Sequence, residues 1–106
     1  MSLLTIPFLP EFKDKLADGR KTATSRNKKY GQPGDQFQAF GMIFQLEFVL
    51  RVPLVFIGRF FVKQEGCKDF NEFRCVWDRI HPIEGYYVGI AKDKRIWLHI
   101  FNRVFP

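Results

Sequence analysis

Three cations and three hydroxyls crowd into the segment Gly19-Arg-Lys-Thr-Ala-Thr-Ser-Arg26. A lysine can take the proton of a nearby hydroxyl and so activate it as a nucleophile, provided the amine is neutral when it acts. Burial and adjacent positive charge both lower a lysine pKa, and Arg20 and Arg26 bring such charge to Lys21. On a regular strand, Lys21 and Thr24 point to opposite faces, so a Lys–Thr pair requires a bulge, a bend or a residue still in the turn. The competing reading is a solvated basic strand whose threonines reflect β propensity.

Glu65 is the second candidate. It lies in Lys63-Gln-Glu-Gly-Cys67, between the expected end of a strand and the start of a helix, where functional loops often sit. An acid there can orient Lys21 or accept hydrogen bonds from the exocyclic amine of a base. Ionised, it also raises the lysine pKa, which opposes a neutral-base role. The plainer alternative is a surface salt bridge or a loop acid.

Other chemistry finds less support. Cys67, Cys75, His81 and His99 lack the paired spacings of zinc sites, and no Cys-His nucleophilic pair is spaced for catalysis, so neither a metal nor another cofactor is expected. Gly19-Arg-Lys-Thr22 looks like the tail of a phosphate loop, but the upstream glycine of that motif is missing. The cysteines read as reduced thiols of a cytoplasmic protein, each a small core residue. His99, in an apolar strand, reads as a hydrogen-bonded core histidine, and His81 as a helix-end residue favoured by the dipole.

The elements that must position these residues follow from spacing. Leu3 to Ile6 reads as a short strand. Pro10 opens a short helix with Phe12 and Leu16 on its inner face, ended by Gly19. Lys21 to Arg26 is extended, and Tyr30 to Asp35 is a turn with Pro33-Gly34 at its centre. From Gln36 to Val62 the pattern predicts strand after strand, Leu54 to Val62 being the last, with Gly41, Pro53 and Gly58 at bends or bulges. Asp69 and Glu72 have capping-box spacing, and Phe70, Phe73, Val76, Trp77 and Ile80 recur at helical intervals up to Pro82. Tyr86 to Ile90 and Arg95 to Phe105 read as two strands joined by a charged turn. In the last strand Ile96, Leu98, Ile100 and Val104 share one face; Trp97, His99, Phe101 and Phe105 share the other, as in a strand covered on both sides. The whole predicts an α+β fold, a small mixed barrel or strongly bent sheet with two helices.

Composition sets the outer limits. The 106 residues are 46% hydrophobic and 17% aromatic, which excludes a disordered tail, a collagen-like chain or a coiled-coil rod. The longest apolar-leaning uncharged run, Gln36 to Leu46, is far short of the roughly 20 residues of a membrane span. Met1-Ser-Leu-Leu-Thr lacks the features of a signal peptide, so a cytoplasmic protein without a membrane partner is expected. The formal net charge is +6, and the stretch from Arg20 to Lys29 concentrates Arg20, Lys21, Arg26, Lys28 and Lys29 without an acid. Such a tract beside abundant aromatics favours a polyanion, nucleic acid first; a solvated loop is the alternative.

These motifs together resemble the ASCH domain, a PUA-like family. The matching stretches are Leu9-Pro-Glu-Phe-Lys13, Gly19 to Arg26, Gly31-Gln-Pro-Gly-Asp35, Lys63 to Cys67, the Phe73/Trp77/His81-Pro82 series and Leu98-His-Ile-Phe101. The resemblance covers nearly the whole chain as one domain, residues 1–106. It implies a small PUA-like β-barrel with two flanking helices and a cleft lined by the Gly-x-Lys-Thr segment. One branch of the family deacetylates N(4)-acetylcytidine; its Lys, Thr and Glu fall on Lys21 as base, Thr24 as nucleophile and Glu65 as orienting acid. The implied partner is RNA or a modified pyrimidine nucleoside, with Arg20, Thr22, Arg26, Lys28 and Lys29 as binding residues. An amidohydrolase is the leading expectation. A ribonuclease using the same cleft, or a non-catalytic RNA-binding module, is the alternative, because the Phe-rich middle strands depart from the amidohydrolase branch.

Overall fold

The computed structural model describes residues 3–105. Strand β1 (Leu4–Thr5) leads through a 3₁₀ turn at Pro10–Phe12 into helix α1 (Lys13–Ala17). Pro10 stands in the first turn, where its missing N–H would have had no intrahelical acceptor. Phe12 and Leu16, four apart, are both buried. Then follow β2 (Ala23–Arg26), β3 (Gln36–Ala39), β4 (Met42–Pro53), α2 (Leu54–Phe60), α3 (Phe70–Ile80), α4 (Tyr86–Ala91) and β5 (Arg95–Phe105). The fold is α+β, with a five-stranded mixed sheet and four helices rather than two.

The sheet runs β1-β3-β4-β5-β2, parallel between β1 and β3 and antiparallel elsewhere. Among the described residues no ladder joins β1 to β2, so the sheet is open where a barrel was expected. The outer edge of β2 is covered instead by the loop before α3: Thr22 and Ala23 both donate their backbone N–H to Gln64 O, at 2.8 and 2.9 Å, and Lys21 bridges Glu65. That covering loop builds the site described below.

Alternate residues of β5 enter two different cores. Phe101 joins Phe37, Phe44, Leu46, Ile6, Phe12 and Leu16 in a phenylalanine-rich cluster, with ring centroids 5.1 to 5.4 Å apart among Phe37, Phe44 and Phe101. Ile96 and Leu98 join the cluster beneath α2, α3 and α4. The two-sided covering predicted for β5 therefore extends from Leu98 to Phe101; Trp97 is half-buried and in neither core, and Val104 is exposed, while the side chain of Phe105 lies outside the described part.

Two predicted strands are helices. Leu54–Phe60 follows Pro53, whose extended backbone starts the turn, and buries Leu54, Ile57 and Gly58 at helical spacing. Gly58 marks a close helix crossing rather than a bulge, since a Cβ there would stand 2.2 Å from the Tyr86 hydroxyl. Tyr86–Ala91 is helical because Asp78 of α3 accepts from the Tyr86 backbone N–H at 2.8 Å, satisfying a donor that helix starts leave free. Tertiary contacts override strand propensity in both segments. Helix α3 starts as its sequence predicts, with Asp69 Oδ1 accepting from Glu72 N at 2.9 Å. Cys67 is a core residue as expected, whereas Cys75 is exposed on the outer side of α3.

Candidate functional site

A cavity of about 490 Å³ opens between the edge of β2, the 61–67 turn and α3. That volume lies within the range of small-molecule sites. Lys21, Thr24, Ser25, Arg26 and Glu65 supply its polar wall; Phe8, Phe12, Tyr30 and Trp77 supply much of its apolar wall.

The polar wall is built by the covering loop. Gly66, at φ +88°, lets that loop come close to Lys21, and a Cβ there would lie 3.1 Å from Lys21 Cβ. The Lys21 ammonium donates to Glu65 O at 2.8 Å and lies 3.4 Å from Glu65 Oε1 and 4.5 Å from the centre of the Phe12 ring. Its side chain is only 3% exposed. Burial pushes the lysine pKa down, and the Glu65 carboxylate opposes that shift without cancelling it. The second carboxylate oxygen, Oε2, accepts from Ser25 Oγ. Glu65 is thereby held at both oxygens.

Thr24 lines the same cavity but is bound to a different partner. Its Oγ1 accepts from Arg26 Nε at 2.9 Å, which leaves the threonine O–H free to donate. Arg26 also donates to Pro7 O at 2.5 Å and lies 4.9 Å from the Phe8 ring centre. The structure thus joins Lys21 to Glu65, and Thr24 shares only the cavity with them, with no Lys21–Thr24 hydrogen bond among the described residues. Lys28 stands on the cavity wall, and Lys29 lines an adjoining shallow cleft. Arg20 and Thr22 do not line the cavity: Arg20 is exposed and paired with Asp18, and the Thr22 backbone N–H binds the covering loop.

Ser25 was missed by the sequence analysis, although a signal existed. Alternation along an extended segment puts Lys21, Ala23 and Ser25 on one side, so the hydroxyl that shares the lysine's side is Ser25 and not Thr24. The stripe Phe73, Trp77, His81 on α3 was also legible as a wall, being spaced at four-residue intervals.

The two histidines differ in kind. His99 is fully buried; its Nδ1 lies 3.2 Å from Thr24 O, and its Nε2 accepts from Tyr30 N at 3.1 Å. A carbonyl can only accept, so Nδ1 carries the proton and both nitrogens are satisfied in the neutral ring. It is the core histidine that its strand predicted. His81 stacks on Trp77, with ring centres 4.0 Å apart, and its Nδ1 lies 3.0 Å from Trp77 O. It caps the C-terminus of α3, the helix-end place its sequence predicted, and lines the cavity, where burial lowers its pKa.

Among the described residues, no helix is long and apolar enough to cross a membrane. No protein-family model and no curated protein matches the chain. Solved structures do share its fold. A protein of Enterococcus faecalis V583 described as DUF984 is similar over 99% of this chain and 82% of its own, with a TM-score of 0.69 and 16% identity. A hypothetical protein, PH0355, is similar over 94% of this chain and 97% of its own, with a TM-score of 0.69 and 13% identity. At such identities the likeness establishes the fold alone.

Proposed function

We propose that the cavity is a hydrolytic site for the acyl amide of a modified pyrimidine nucleoside of the N(4)-acetylcytidine type, consistent with the resemblance of the chain to ASCH domains. The observation that carries this reading is the enclosed polar wall: a lysine almost wholly removed from water, its ammonium 3.4 Å from a carboxylate, in a cavity also lined by a threonine whose hydroxyl is free to donate. A buried lysine is the kind that can be neutral near the working pH, and a neutral amine is what a general base requires.

In this reading Thr24 Oγ attacks the acyl carbon while Lys21 takes its proton. Arg26, already donating to Thr24 Oγ1, is placed to neutralise negative charge developing at the carbonyl oxygen. Collapse of the tetrahedral species breaks the C–N bond, and Lys21 returns its proton to the departing exocyclic amine. Water then cleaves the acyl-threonine ester to acetate. Glu65 positions the lysine, and Ser25 fixes Glu65. The aromatic wall of Phe8, Tyr30 and Trp77 supports stacking of a planar base.

Incubation with N(4)-acetylcytidine, followed by chromatography, tests this directly: cytidine and acetate are expected in equal amounts. Binding of the nucleoside without cytidine at high protein concentration would assign the cavity to a binding module, and shortening of mixed RNA would assign it to a ribonuclease.

A further inference from the structure

A second constellation runs across the strands away from the cavity. In the strand register Trp97 of β5 is paired on one side with Arg51 of β4 and on the other with Arg26 of β2. Directly paired residues share a face, so Arg51, Trp97 and Arg26 form one row. With about 4.8 Å between strands the row spans about 10 Å, and it ends at a cavity-lining residue. Loop residues complete it: Lys29 Nζ lies 5.3 Å from the Trp97 ring centre, Arg51 Cζ 5.9 Å from the same ring, and Lys28 Nζ 4.8 Å from Tyr30.

No acid neutralises the charges in this row, although Arg26 also donates to Thr24 Oγ1 and Pro7 O. Among the described residues none of Arg26, Lys28, Lys29 and Arg51 forms a salt bridge. Each of these four cations lies over an aromatic ring. Alternating cations and aromatic planes match alternating phosphates and bases, the combination by which single strands are held without sequence readout. An acidic peptide would satisfy the cations but leave the rings without a partner. The 10 Å span suits about three nucleotides of stacked strand.

We propose that the Arg51–Trp97–Arg26 row, with Lys28 and Lys29, binds a single-stranded nucleic acid segment flanking the nucleotide held in the cavity. The substrate is then a modified nucleotide within a strand rather than a free nucleoside. This rests on the cavity being a nucleoside site.

The test compares free N(4)-acetylcytidine with a five-nucleotide single-stranded RNA carrying one central N(4)-acetylcytidine. The variant is Arg51→Glu, an exposed position outside the cavity; the control is Arg59→Glu, exposed on α2, with the same change of charge. The wild type should bind the oligonucleotide at least tenfold more tightly than the nucleoside. Arg51→Glu should lose about tenfold of that affinity and about 0.7 of its log–log salt slope, with turnover of the free nucleoside unchanged. Arg59→Glu should leave both nearly as they were. Equal affinity for the two ligands, equal losses in both variants, or equally tight binding of a polyglutamate peptide would overturn the proposal. If the nucleoside is not hydrolysed, yet Arg51→Glu alone weakens the oligonucleotide, the row stands and only the hydrolytic reading falls.

Discussion

Two neighbouring cations, Arg20 and Lys21, meet acids in opposite surroundings. Arg20 Nε donates to Asp18 at 2.7 Å, with about half of each side chain exposed. Lys21 lies 3.4 Å from Glu65, and both side chains are almost wholly enclosed. The shorter contact is the lesser one. Water screens the Asp18–Arg20 pair, and its mutual hydrogen bond merely lowers the pKa of the acid and raises that of the base, fixing charges that both groups carry anyway. At Lys21 burial outweighs the attraction of Glu65, so the net shift is toward the neutral amine. Enclosure, rather than distance, separates a surface ornament from a group that can exchange protons.

The contrast breaks most visibly under substitution. Thr24→Ala and Lys21→Met should each lower kcat/KM on N(4)-acetylcytidine by about a thousandfold, within the span of general-base contributions. The double variant should be little worse than either single one, because members of one catalytic unit are not additive. Ser25→Ala, which removes only one hydrogen bond to Glu65, should cost about tenfold. A loss as deep as that of Thr24→Ala would make Ser25 the nucleophile.

Glu65→Gln comes next in size. It keeps an acceptor for Lys21 while removing the charge, and loss of the charge-assisted contact that positions the lysine should lower kcat/KM roughly ten- to a hundredfold. Because Glu65 raises the lysine pKa, its loss should move the low-pH limb of kcat/KM to lower pH. The smallest effect belongs to the exposed pair: Asp18→Ala should leave turnover, the pH limb and Tm within experimental error.

How far the fold could be foreseen depends on which contacts carry each element. The Asp69 cap and the Phe73–Trp77 stripe of α3 are local, and the structure holds both. Strand β5 pairs as a long extended run, as its alternation implied. Helices α2 and α4 were illegible because β-branched and aromatic residues favour strands locally, while Gly58 and Asp78 act only through the neighbouring helices. In the candidate site Lys21 and Glu65, 44 residues apart, meet through the covering loop, while the Ser25 bond to Glu65 depends on strand alternation that puts Ser25 on the lysine's side. The Arg51–Trp97–Arg26 row could not be read at all, since it exists only once strand register is set.

Burial of Lys21 also leaves a mark on stability. Its pKa is lower folded than unfolded, so between those two values the unfolded chain binds more protons and stability rises with pH. The contribution is full above the unfolded value and is lost as pH falls through the folded one. Lys21→Met should abolish that alkaline rise in Tm.

The titration of the Lys21 amine itself, followed by NMR of its ¹³Cε and ¹⁵Nζ nuclei in selectively labelled protein, tests the central claim without need of a substrate. Lys21 should titrate below the ordinary lysine value, and lower still in Glu65→Gln. A lysine that titrates at or above the ordinary value, or one that Glu65→Gln leaves unmoved, would contradict the account.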